Sequence, residues 1–340
     1  MVLEVPVLDL VVDLATEASL RQGAARVLAA VRPSWPEQAV RWKVHTDGIT
    51  NKLVGGWLEG RREDTVLVRV YGEGTERIID REQEKANMAR LAAVGAGGRL
   101  YAAFGNGIAY EFLEGEVLGQ GRLWEDAVWK GVATAMATMH RLPLTEEEAA
   151  APCLWPRVRR FVQECRPAAV PGFPAKEELL AEVDRLEEEV ATGADTVVFC
   201  HNDALLANVV LQAEGRVRFI DLEYGGPNIA AFDIANHFVE FVGCEGRLDY
   251  EKWLPGRAWR LAWCGEYLAA REGRPAAMAE VEALQARVEA FMPAAHLLWA
   301  VWAVVQAANS SIAFDFADYA LQRLREYRRC RGQAGLPARL

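Results

Sequence analysis

The chain has 340 residues, and its composition and charge exclude several classes of protein. About half of the residues are apolar (51%) and 25% are charged, an ordinary globular balance that excludes general disorder. The formal net charge of −10 argues against a nucleic-acid partner and against binding to an anionic membrane surface. At roughly 150 residues per domain, the length predicts about two domains.

The sequence carries none of the usual signs of a secreted or membrane-spanning protein. We find no run of about 18 apolar residues, so we expect no stable membrane insertion. The opening stretch MVLEVPVLDLVVDL has acidic residues inside its apolar run, unlike a secretory signal. The six cysteines are scattered without a CxxC pair, which is typical of a reducing compartment. These features predict a soluble, cytoplasmic protein.

The first third of the chain is predicted to be mostly β. Apolar and β-branched residues on both sides of HTDGITNK predict a hairpin over 44–58, and 66–71 is a short strand. Residues 75–91 follow a helical period that ends at the glycines of 95–98. The Gly105-Asn106-Gly107 turn predicts a second hairpin, formed by 100–104 and 108–112. The composition changes within 111–115, so the predicted domains are 1–113 and 114–340.

Helices dominate the predicted second domain. One helix ends near His140, and a charged surface helix covers 177–190. A β island interrupts them, with strands at 197–200, 209–211 and 217–220. The last helix carries four arginines, and we interpret its basic face as solvated: Arg323, Arg325, Arg328 and Arg329.

The densest cluster of polar residues lies in the β island. Asp203 follows a strand within His-Asn-Asp, Asn208 comes five residues later, and Asp221 follows the next apolar strand. This layout suits phosphoryl transfer from ATP: one carboxylate orients the attacking hydroxyl, while an amide oxygen and a second carboxylate hold Mg²⁺. The alternative is a polar loop with Asx turns. We predict that the three groups converge around one magnesium nucleotide in a cleft between two lobes.

The first domain supplies residues that such a site needs. The segment Asp47–Lys52, with Gly48 and Asn51, can fold over phosphates with its backbone N–H groups, although an ordinary hairpin turn is the simpler interpretation. Arg69 is a fixed cation inside an apolar strand, and Glu84 on the next helix is its predicted ion-pair partner. The pair matches the lysine–glutamate pair of protein kinases, whereas a snorkelling surface arginine is the alternative for Arg69 alone.

In these stretches the chain resembles the choline/ethanolamine kinase family, and within it the ethanolamine kinase branch. The matching stretches span the chain from about residue 40 and keep their order: GITNKLV, VLVRVYGEGTE, DREQE, VVFCHND, FIDLEYGG, AFDIANHFVEF, HLLWAVWAVVQ and SSIAFDFADYA. The resemblance implies an α+β, protein-kinase-like fold with a small β-rich N-terminal lobe and a large, mainly helical C-terminal lobe. It also implies transfer of the ATP γ-phosphate to an amino alcohol, the first step of phosphatidylethanolamine or phosphatidylcholine synthesis.

The resemblance also assigns roles to residues of this chain. Asp203 is similar to the catalytic aspartate, and Asn208 and Asp221 to the metal ligands. The implied nucleotide-binding residues, which include a hinge at 111–113, are Gly48, Asn51, Arg69, Glu84, Glu111 and Leu113. The implied amino-alcohol pocket consists of Tyr224, Glu240, Trp299, Trp302, Phe314 and Tyr319. Aromatic faces and a carboxylate suit a substrate ammonium, whereas core packing at helical spacing is the alternative for the two tryptophans.

The chain departs from the family pattern at three places. Residues 204–207 lack the polar side chains often present there, which could weaken contacts to phosphate. Asp47 adds negative charge beside the predicted phosphate loop, where a glycine would be familiar. Leu222 replaces an aromatic residue, which we interpret as a packing change.

We favour ethanolamine over choline because 241–244 lack the additional aromatic residues of the choline branch. A primary ammonium donates three N–H bonds, whereas a trimethylammonium group donates none. The alternatives are a choline kinase, an aminoglycoside-type phosphotransferase, a protein kinase and a non-catalytic, pseudokinase-like interaction module. The implied cofactors are ATP and Mg²⁺, and the sequence leaves a homodimer open.

Overall fold

A computed structural model describes residues 5–45, 51–72, 80–191, 195–244, 246–310 and 312–333. Its strands, in chain order, are β1 (Val7–Leu8), β2 (Val40–His45), β3 (Asn51–Leu58), β4 (Arg61–Tyr71), β5 (Leu100–Phe104), β6 (Gly107–Glu111), β7 (Glu116–Val117), β8 (Val197–Cys200), β9 (Val209–Leu211), β10 (Val217–Phe219) and β11 (Gly226–Ile229). Its α-helices are α1 (Glu17–Val31), α2 (Arg81–Ala93), α3 (Asp126–Met139), α4 (Glu146–Ala150), α5 (Leu154–Glu164), α6 (Lys176–Val190), α7 (Ala230–Val239), α8 (Tyr250–Trp253), α9 (Arg257–Glu272), α10 (Met278–Asn309) and α11 (Phe316–Gln333).

The chain divides into two compact units, and the first unit is discontinuous in sequence. The first unit comprises Met1–Glu116 and Val210–Glu223, and the second comprises Val117–Val209 and Tyr224–Leu340. The segment 210–223 contains β10, and Phe219 within it donates its backbone N–H to the carbonyl of Ala96 over 3.2 Å. The first unit is therefore assembled from two separate parts of the chain.

The first unit is built on a six-stranded sheet of order β1-β5-β6-β4-β3-β2. The strands pair antiparallel, apart from the parallel pair β1 and β5. Both predicted hairpins form, as β2–β3 and β5–β6. Residues 46–50, which join β2 to β3, lie outside the described residues. One face of the sheet buries Val54, Val68 and Val70 against α1.

Helix α1 is an element that the prediction of a mostly β first third did not contain. Thr16 and Ser19 form a capping box at its N-terminus, with reciprocal hydrogen bonds of 3.0 and 3.1 Å. Leu20, Val27 and Leu28 recur at helical spacing and are buried, so burial against the sheet stabilises the helix. The capping pattern and this spacing were the available sequence signals.

Helix α2 begins six residues later than predicted because an aspartate caps it. The Asp80 carboxylate accepts the backbone N–H groups of Glu82 and Gln83, each over 3.1 Å. An N-cap residue satisfies donors that have no partner inside the helix. Residues 75–79, which the prediction included in the helix, lie outside the described residues. The predicted stop is confirmed, since the helix ends at Ala93 and Gly95 has a φ of +70°.

The second unit is mainly helical, as predicted. The helix predicted to end near His140 is α3, and the predicted charged helix is α6. Helix α10 packs against α5, α7, α9 and α11 and forms the centre of the unit. Strand β8 pairs antiparallel with β11, and this pair delivers the loop that contains Asp203.

Helix α10 is long and apolar enough to cross a membrane by length and composition alone. Its most apolar 18-residue window has a mean hydropathy of 1.6, and 83% of that window is buried in the structure. The sequence analysis found no uninterrupted apolar run because Pro293 and His296 lie inside the segment. A helix that is mostly buried by neighbouring helices has the packing of a core helix, so the absence of membrane insertion stays a prediction.

Candidate active site

Four of the predicted nucleotide and metal residues line one pocket of the first unit. The pocket contains Arg69 from β4, Glu111 at the end of β6, Leu113, and Asp221 after β10. Met88, Tyr110, Phe219 and Leu222 contribute apolar and aromatic surface to the same pocket. Strand pairing brings these residues together, because β4 lies beside β6 with Arg69 opposite Ile108. The lining therefore combines charged side chains with apolar and aromatic ones, as a nucleotide site requires.

The predicted ion pair between Arg69 and Glu84 is present. Arg69 is 6% exposed and Glu84 is fully buried, and their side chains form a salt bridge. Arg69 also donates to Oδ1 of Asp221 over 3.0 Å. Burial opposes the charge on Arg69, but Tyr110 and Asp221 hold the pKa of its guanidinium above the ordinary value. The snorkelling alternative for Arg69 is therefore wrong.

Arg81 is a second cation of this site that the sequence analysis missed. It donates to Oε2 of Glu84 over 3.0 Å and to Oδ1 of Asn51 over 3.3 Å. Its guanidinium carbon lies 4.0 Å from the ring centroid of Tyr71. Arg81 thus ties the end of β3, where Asn51 lies, to the first turn of α2. Gly48 lies outside the described residues.

Three carboxylates of the first unit provide oxygen atoms at metal-ligand spacing. One oxygen each from Glu84, Asp221 and Glu223 lies within 4.8 Å of the others. Burial, with the nearby Asp221 charge, raises the pKa of Glu223 to about 8, against the opposing effect of Arg69 and Arg81. Hard oxygen ligands suit Mg²⁺, and a divalent cation would relieve the repulsion between the carboxylates. The donor set therefore fits magnesium.

Asp221 has a φ of +61°, a left-handed conformation that few residues other than glycine adopt. Such conformations persist where the surroundings hold them, and they concentrate at functional sites. In the first unit, the ion pair with Arg69 is one contact that holds the Asp221 side chain.

In the second unit, Asp203 and Asn208 contact each other directly after β8. Nδ2 of Asn208 donates to the backbone carbonyl of Asp203 over 2.9 Å and to its Oδ2 over 3.2 Å. Both residues are 8% exposed. Because the nitrogen end of the Asn208 amide faces Asp203, its oxygen end is the atom suited to a metal ion.

Asn202, immediately before Asp203, also has a positive φ, of +64°. Its side-chain amide donates to the carbonyl of Tyr224 over 3.0 Å and accepts from Asn228 over 2.7 Å. Nδ2 of Asn236 donates to the Asn202 carbonyl over 3.2 Å. These buried bonds fix the backbone turn that presents Asp203.

Asp233 on α7 holds the same turn from the other side. Its two carboxylate oxygens accept the backbone N–H groups of His201 over 2.9 Å and of Asn202 over 2.7 Å. Nε2 of His140 lies 3.0 Å from Oδ2 of Asp233. Burial would raise the pKa of Asp233, but the contact with His140 keeps it below its ordinary value. Asp233 therefore holds the backbone of this loop by hydrogen bonds.

His237 fixes the next residue of the loop. Its Nδ1–H donates to the carbonyl of Ala204 over 2.6 Å. Burial lowers the pKa of His237 to about 4, so the ring is neutral near neutral pH. The loop that contains Asp203 is therefore held at 201, 202 and 204 by side chains of α7.

The predicted aromatic residues form one contiguous cluster in the second unit. Trp299 lies edge-on to Tyr224 and to Trp302, with ring centroids 5.5 and 5.6 Å apart. Nε1 of Trp302 donates to the Tyr224 hydroxyl over 2.9 Å. The Phe314 and Tyr319 rings lie 5.7 Å apart. Phe316, which the prediction did not include, joins the two parts, since its ring lies within 5.8 Å of Trp302 and 4.7 Å of Phe314.

The sequence analysis missed two further residues: Asn236 connects this cluster to the loop of 201–204, and Arg157 contacts Tyr224 within the cluster. Oδ1 of Asn236 accepts from Nε1 of Trp299 over 2.7 Å, while its nitrogen donates to Asn202 as described above. Arg157 on α5 donates to the carbonyl of Tyr224 over 2.8 Å and lies 5.6 Å from its ring centroid. The core-packing alternative for the tryptophans is incomplete by itself, since both indole N–H groups also donate directed hydrogen bonds.

The structure corrects the interpretation of Arg323 as part of a solvated face. Arg323 is fully buried, whereas Arg325 and Arg328 are exposed. Its guanidinium forms an ion pair with Glu240 and donates to the Tyr319 hydroxyl over 2.8 and 2.9 Å. Its position four residues after Tyr319 on α11 was the available signal, because side chains at this spacing are neighbours on a helix.

The predicted site residues thus fall into two groups, each internally connected. Those of the first unit are Asn51, Arg69, Glu84, Glu111, Leu113 and Asp221. Those of the second unit are Asp203, Asn208, Tyr224, Glu240, Trp299, Trp302, Phe314 and Tyr319. The convergence of Asp203, Asn208 and Asp221 stays a prediction.

Comparison with known proteins identifies relatives along nearly the whole chain. Residues 43–328 match the family model described as choline/ethanolamine kinase. Ethanolamine kinase 2 of Rattus norvegicus is 40% identical over 328 residues, covering 95% of this chain and 84% of the relative. Ethanolamine kinase 2 of Homo sapiens is 39% identical, covering 92% and 81%. The solved structure of Plasmodium vivax ethanolamine kinase has a TM-score of 0.78 at 24% identity, covering 92% and 89%. This structural likeness shows the protein-kinase-like fold that the sequence predicted.

Proposed function

The chain belongs to the choline/ethanolamine kinase family, and we propose from this premise that it transfers the γ-phosphoryl group of ATP to ethanolamine. The single observation that carries the proposal is the similarity to ethanolamine kinases over nearly the entire chain. The product is phosphoethanolamine, and the reaction begins phosphatidylethanolamine synthesis. A cytoplasmic location agrees with the scattered, reduced cysteines.

We propose that the first-unit pocket holds the nucleotide. Its apolar lining, with Leu113 and Phe219, suits the adenine ring, and the backbone of 111–113 suits its hydrogen-bonding edge. Arg69 places a fixed positive charge in the same lining, where it would neutralise phosphate oxygens. The pairing of Arg69 with Glu84 supports this role, since a buried guanidinium needs a carboxylate to hold its position.

We propose that Mg²⁺ is held by Asn208 and Asp221. When bound, the ion neutralises charge that develops on the transferred phosphoryl group. The amide oxygen of Asn208 and the carboxylate of Asp221 are hard donors of the kind that magnesium prefers. The clustering of Glu84 and Glu223 with Asp221 supports a cation on the first-unit side.

We propose that Asp203 orients the substrate hydroxyl and accepts its proton. Its carboxylate accepts a hydrogen bond from Nδ2 of Asn208 over 3.2 Å, and the bonds at 201, 202 and 204 fix the backbone of the loop. Most of the rate acceleration then comes from positioning and charge neutralisation. The aromatic cluster of Tyr224, Trp299 and Trp302 would bind the ammonium group through its ring faces.

The direct test is a coupled ADP-release assay run in parallel with ethanolamine, choline and kanamycin. We expect turnover with ethanolamine and a lower kcat/KM with choline and with kanamycin. A preference for choline would establish the choline kinase alternative, and a preference for kanamycin the aminoglycoside alternative. If the protein neither hydrolyses ATP nor phosphorylates any of the three substrates, the result would support a non-catalytic module.

The same assay tests the role of Asp203. Asp203→Ala should lower kcat by about 10²–10⁴-fold if the carboxylate acts as general base. Asn208→Ala should instead raise the Mg²⁺ concentration required for half-maximal rate. Asp184→Ala, on the exposed face of α6, is a matched control with wild-type kinetics. An Asp203→Ala enzyme with near wild-type turnover would contradict the proposed base.

A further inference from the structure

The buried charge network beneath the aromatic cluster has no role in the function proposed so far. Arg323 is fully buried and Glu240 is 3% exposed. The guanidinium contacts Glu240 and Tyr319 as described above, and its Nη1 lies 3.4 Å from Nδ1 of His296. Its carbon atom Cζ lies 6.0 Å from the ring centroid of Tyr250. The guanidinium of Arg323 is therefore the point at which four helical elements meet: α7 with the turn after it, α8, α10 and α11.

We propose that Arg323 is the positioning residue of the amino-alcohol pocket: it orients the Glu240 carboxylate and the Tyr319 hydroxyl for a primary ammonium ion. This inference rests on the proposed function, because it assigns the implied amino-alcohol pocket, to which Glu240 and Tyr319 belong, to ethanolamine. Arg323 itself does not touch the substrate.

The exposure of the two partners supports this arrangement. The Arg323 side chain is fully buried, whereas the Glu240 side chain retains 4% of its surface. Both members of the pair are therefore buried, and the guanidinium contacts the carboxylate on the side of α11. A planar guanidinium donates in fixed directions, so it fixes the carboxylate and the phenol of Tyr319 relative to each other.

The pair also sets the charge that an ammonium ion meets. Burial alone raises the pKa of Glu240, and Arg323 opposes this rise. An unpaired carboxyl at this depth would tend to take up a proton and lose its attraction for a cation. The net pKa of Glu240 lies above its ordinary value, and Arg323 limits this rise and so favours the ionised carboxylate. The aromatic faces of the cluster supply further attraction for a cation.

The other titratable groups around Glu240 do not oppose this conclusion. Burial, and then Arg323, lowers the pKa of His296 well below its ordinary value, so the ring is neutral. Burial raises the pKa of Tyr250 and of Tyr319, so both hydroxyls stay protonated. Loss of Arg323 would favour proton uptake by Glu240 or His296, and either event would remove negative charge from the pocket.

The test compares Arg323→Met and Arg323→Lys with wild type by steady-state kinetics for both substrates between pH 6 and 8. Arg323→Met should raise the KM for ethanolamine roughly tenfold or more, which corresponds to about 1.4 kcal/mol, while the KM for ATP stays within about twofold. In this variant the KM for ethanolamine should rise further as the pH falls, because the unpaired carboxyl gains a proton. Arg323→Lys keeps the charge and should show an intermediate, pH-independent KM.

Arg325→Met is the matched control, because Arg325 is exposed on the same helix, and it should behave as wild type. Equal increases in both KM values, or a loss of kcat alone, would overturn the inference and leave a purely structural role. If Arg323→Met does not fold, a wild-type KM for ethanolamine in Arg323→Lys would overturn it equally. A wild-type enzyme without ethanolamine turnover would instead refute the proposed function, and the inference with it.

Discussion

Replacing Asp233 with asparagine should destabilise the second unit strongly, because two oxygens of one carboxylate accept separate backbone donors. The N–H groups of His201 and Asn202 donate to different oxygens over 2.9 and 2.7 Å, and His140 contacts the first of these oxygens. An amide keeps only one acceptor oxygen, so one buried backbone donor would face an NH₂ group. The replacement therefore preserves the shape of the side chain and removes one acceptor.

The expected magnitude follows from these contacts. An unsatisfied buried donor costs about 1–3 kcal/mol, and a hydrogen bond to a charged acceptor contributes about 1.5–3 kcal/mol. Asp233→Asn should therefore lower the free energy of unfolding by about 2–5 kcal/mol. Asn202 adds to this sensitivity, because its φ of +64° is costly without the bonds that hold it.

Urea unfolding followed by tryptophan fluorescence measures the effect, since most of the tryptophans lie in the second unit. Asp184→Asn is the matched control: Asp184 is exposed and pairs with Arg159 over 2.6 Å, and such surface pairs contribute about 0–1 kcal/mol. An Asp233→Asn protein within 1 kcal/mol of wild type would refute the reasoning that these bonds hold the catalytic loop.

Three further predictions concern other parts of the site. Trp302→Leu should raise the KM for ethanolamine more than the KM for ATP, and equal effects in steady-state kinetics would indicate a folding role. Glu84→Gln should raise the KM for ATP and lower the free energy of unfolding by about 3–5 kcal/mol, because it leaves Arg69 with an incomplete buried ion pair. An unchanged melting temperature would contradict the predicted loss of stability. The pKa of His237 is about 4 in the folded protein and 6.5 when the ring is free. As the pH falls from 6.5 towards 4, the unfolded chain therefore binds a proton at His237 that the folded protein does not, and the free energy of unfolding decreases. In urea titrations across this range, His237→Gln should show a weaker pH dependence than wild type, and an equal slope would contradict the assignment.

The sequence predicted best those elements whose structure is determined by residues that are close to one another in the chain. The hairpin around Gly105-Asn106-Gly107 and the end of α2 at 95–98 both follow from local turn chemistry, and both are confirmed. The start of α2 differed from the prediction because the Asp80 side chain accepts the first backbone N–H groups and so caps the helix. The spacing of apolar residues does not reveal such a cap.

The site residues that the sequence missed depend on contacts between distant segments. Arg323 lies 83 residues from Glu240 in the chain, and helix composition alone cannot distinguish a buried arginine from an exposed one. Arg81 and Asn236 each connect two elements that are separate in sequence. In each case the long-range packing decides which polar side chain is buried, whereas the motif around Asp203 and Asn208 is encoded within eight residues.

The discontinuity of the first unit has a consequence for how the chain folds as it is synthesised. Domains generally fold as units, N-terminal first, during translation. Here residues 210–223 contribute the bond from Phe219 to Ala96 and the Asp221 partner of Arg69. A nascent chain that has released only residues 1–116 from the ribosome therefore lacks part of the first unit. All six strands of the N-terminal sheet are present at that stage, but the first unit remains incomplete until more than 220 residues have emerged, and it stays exposed to chaperones for that part of translation.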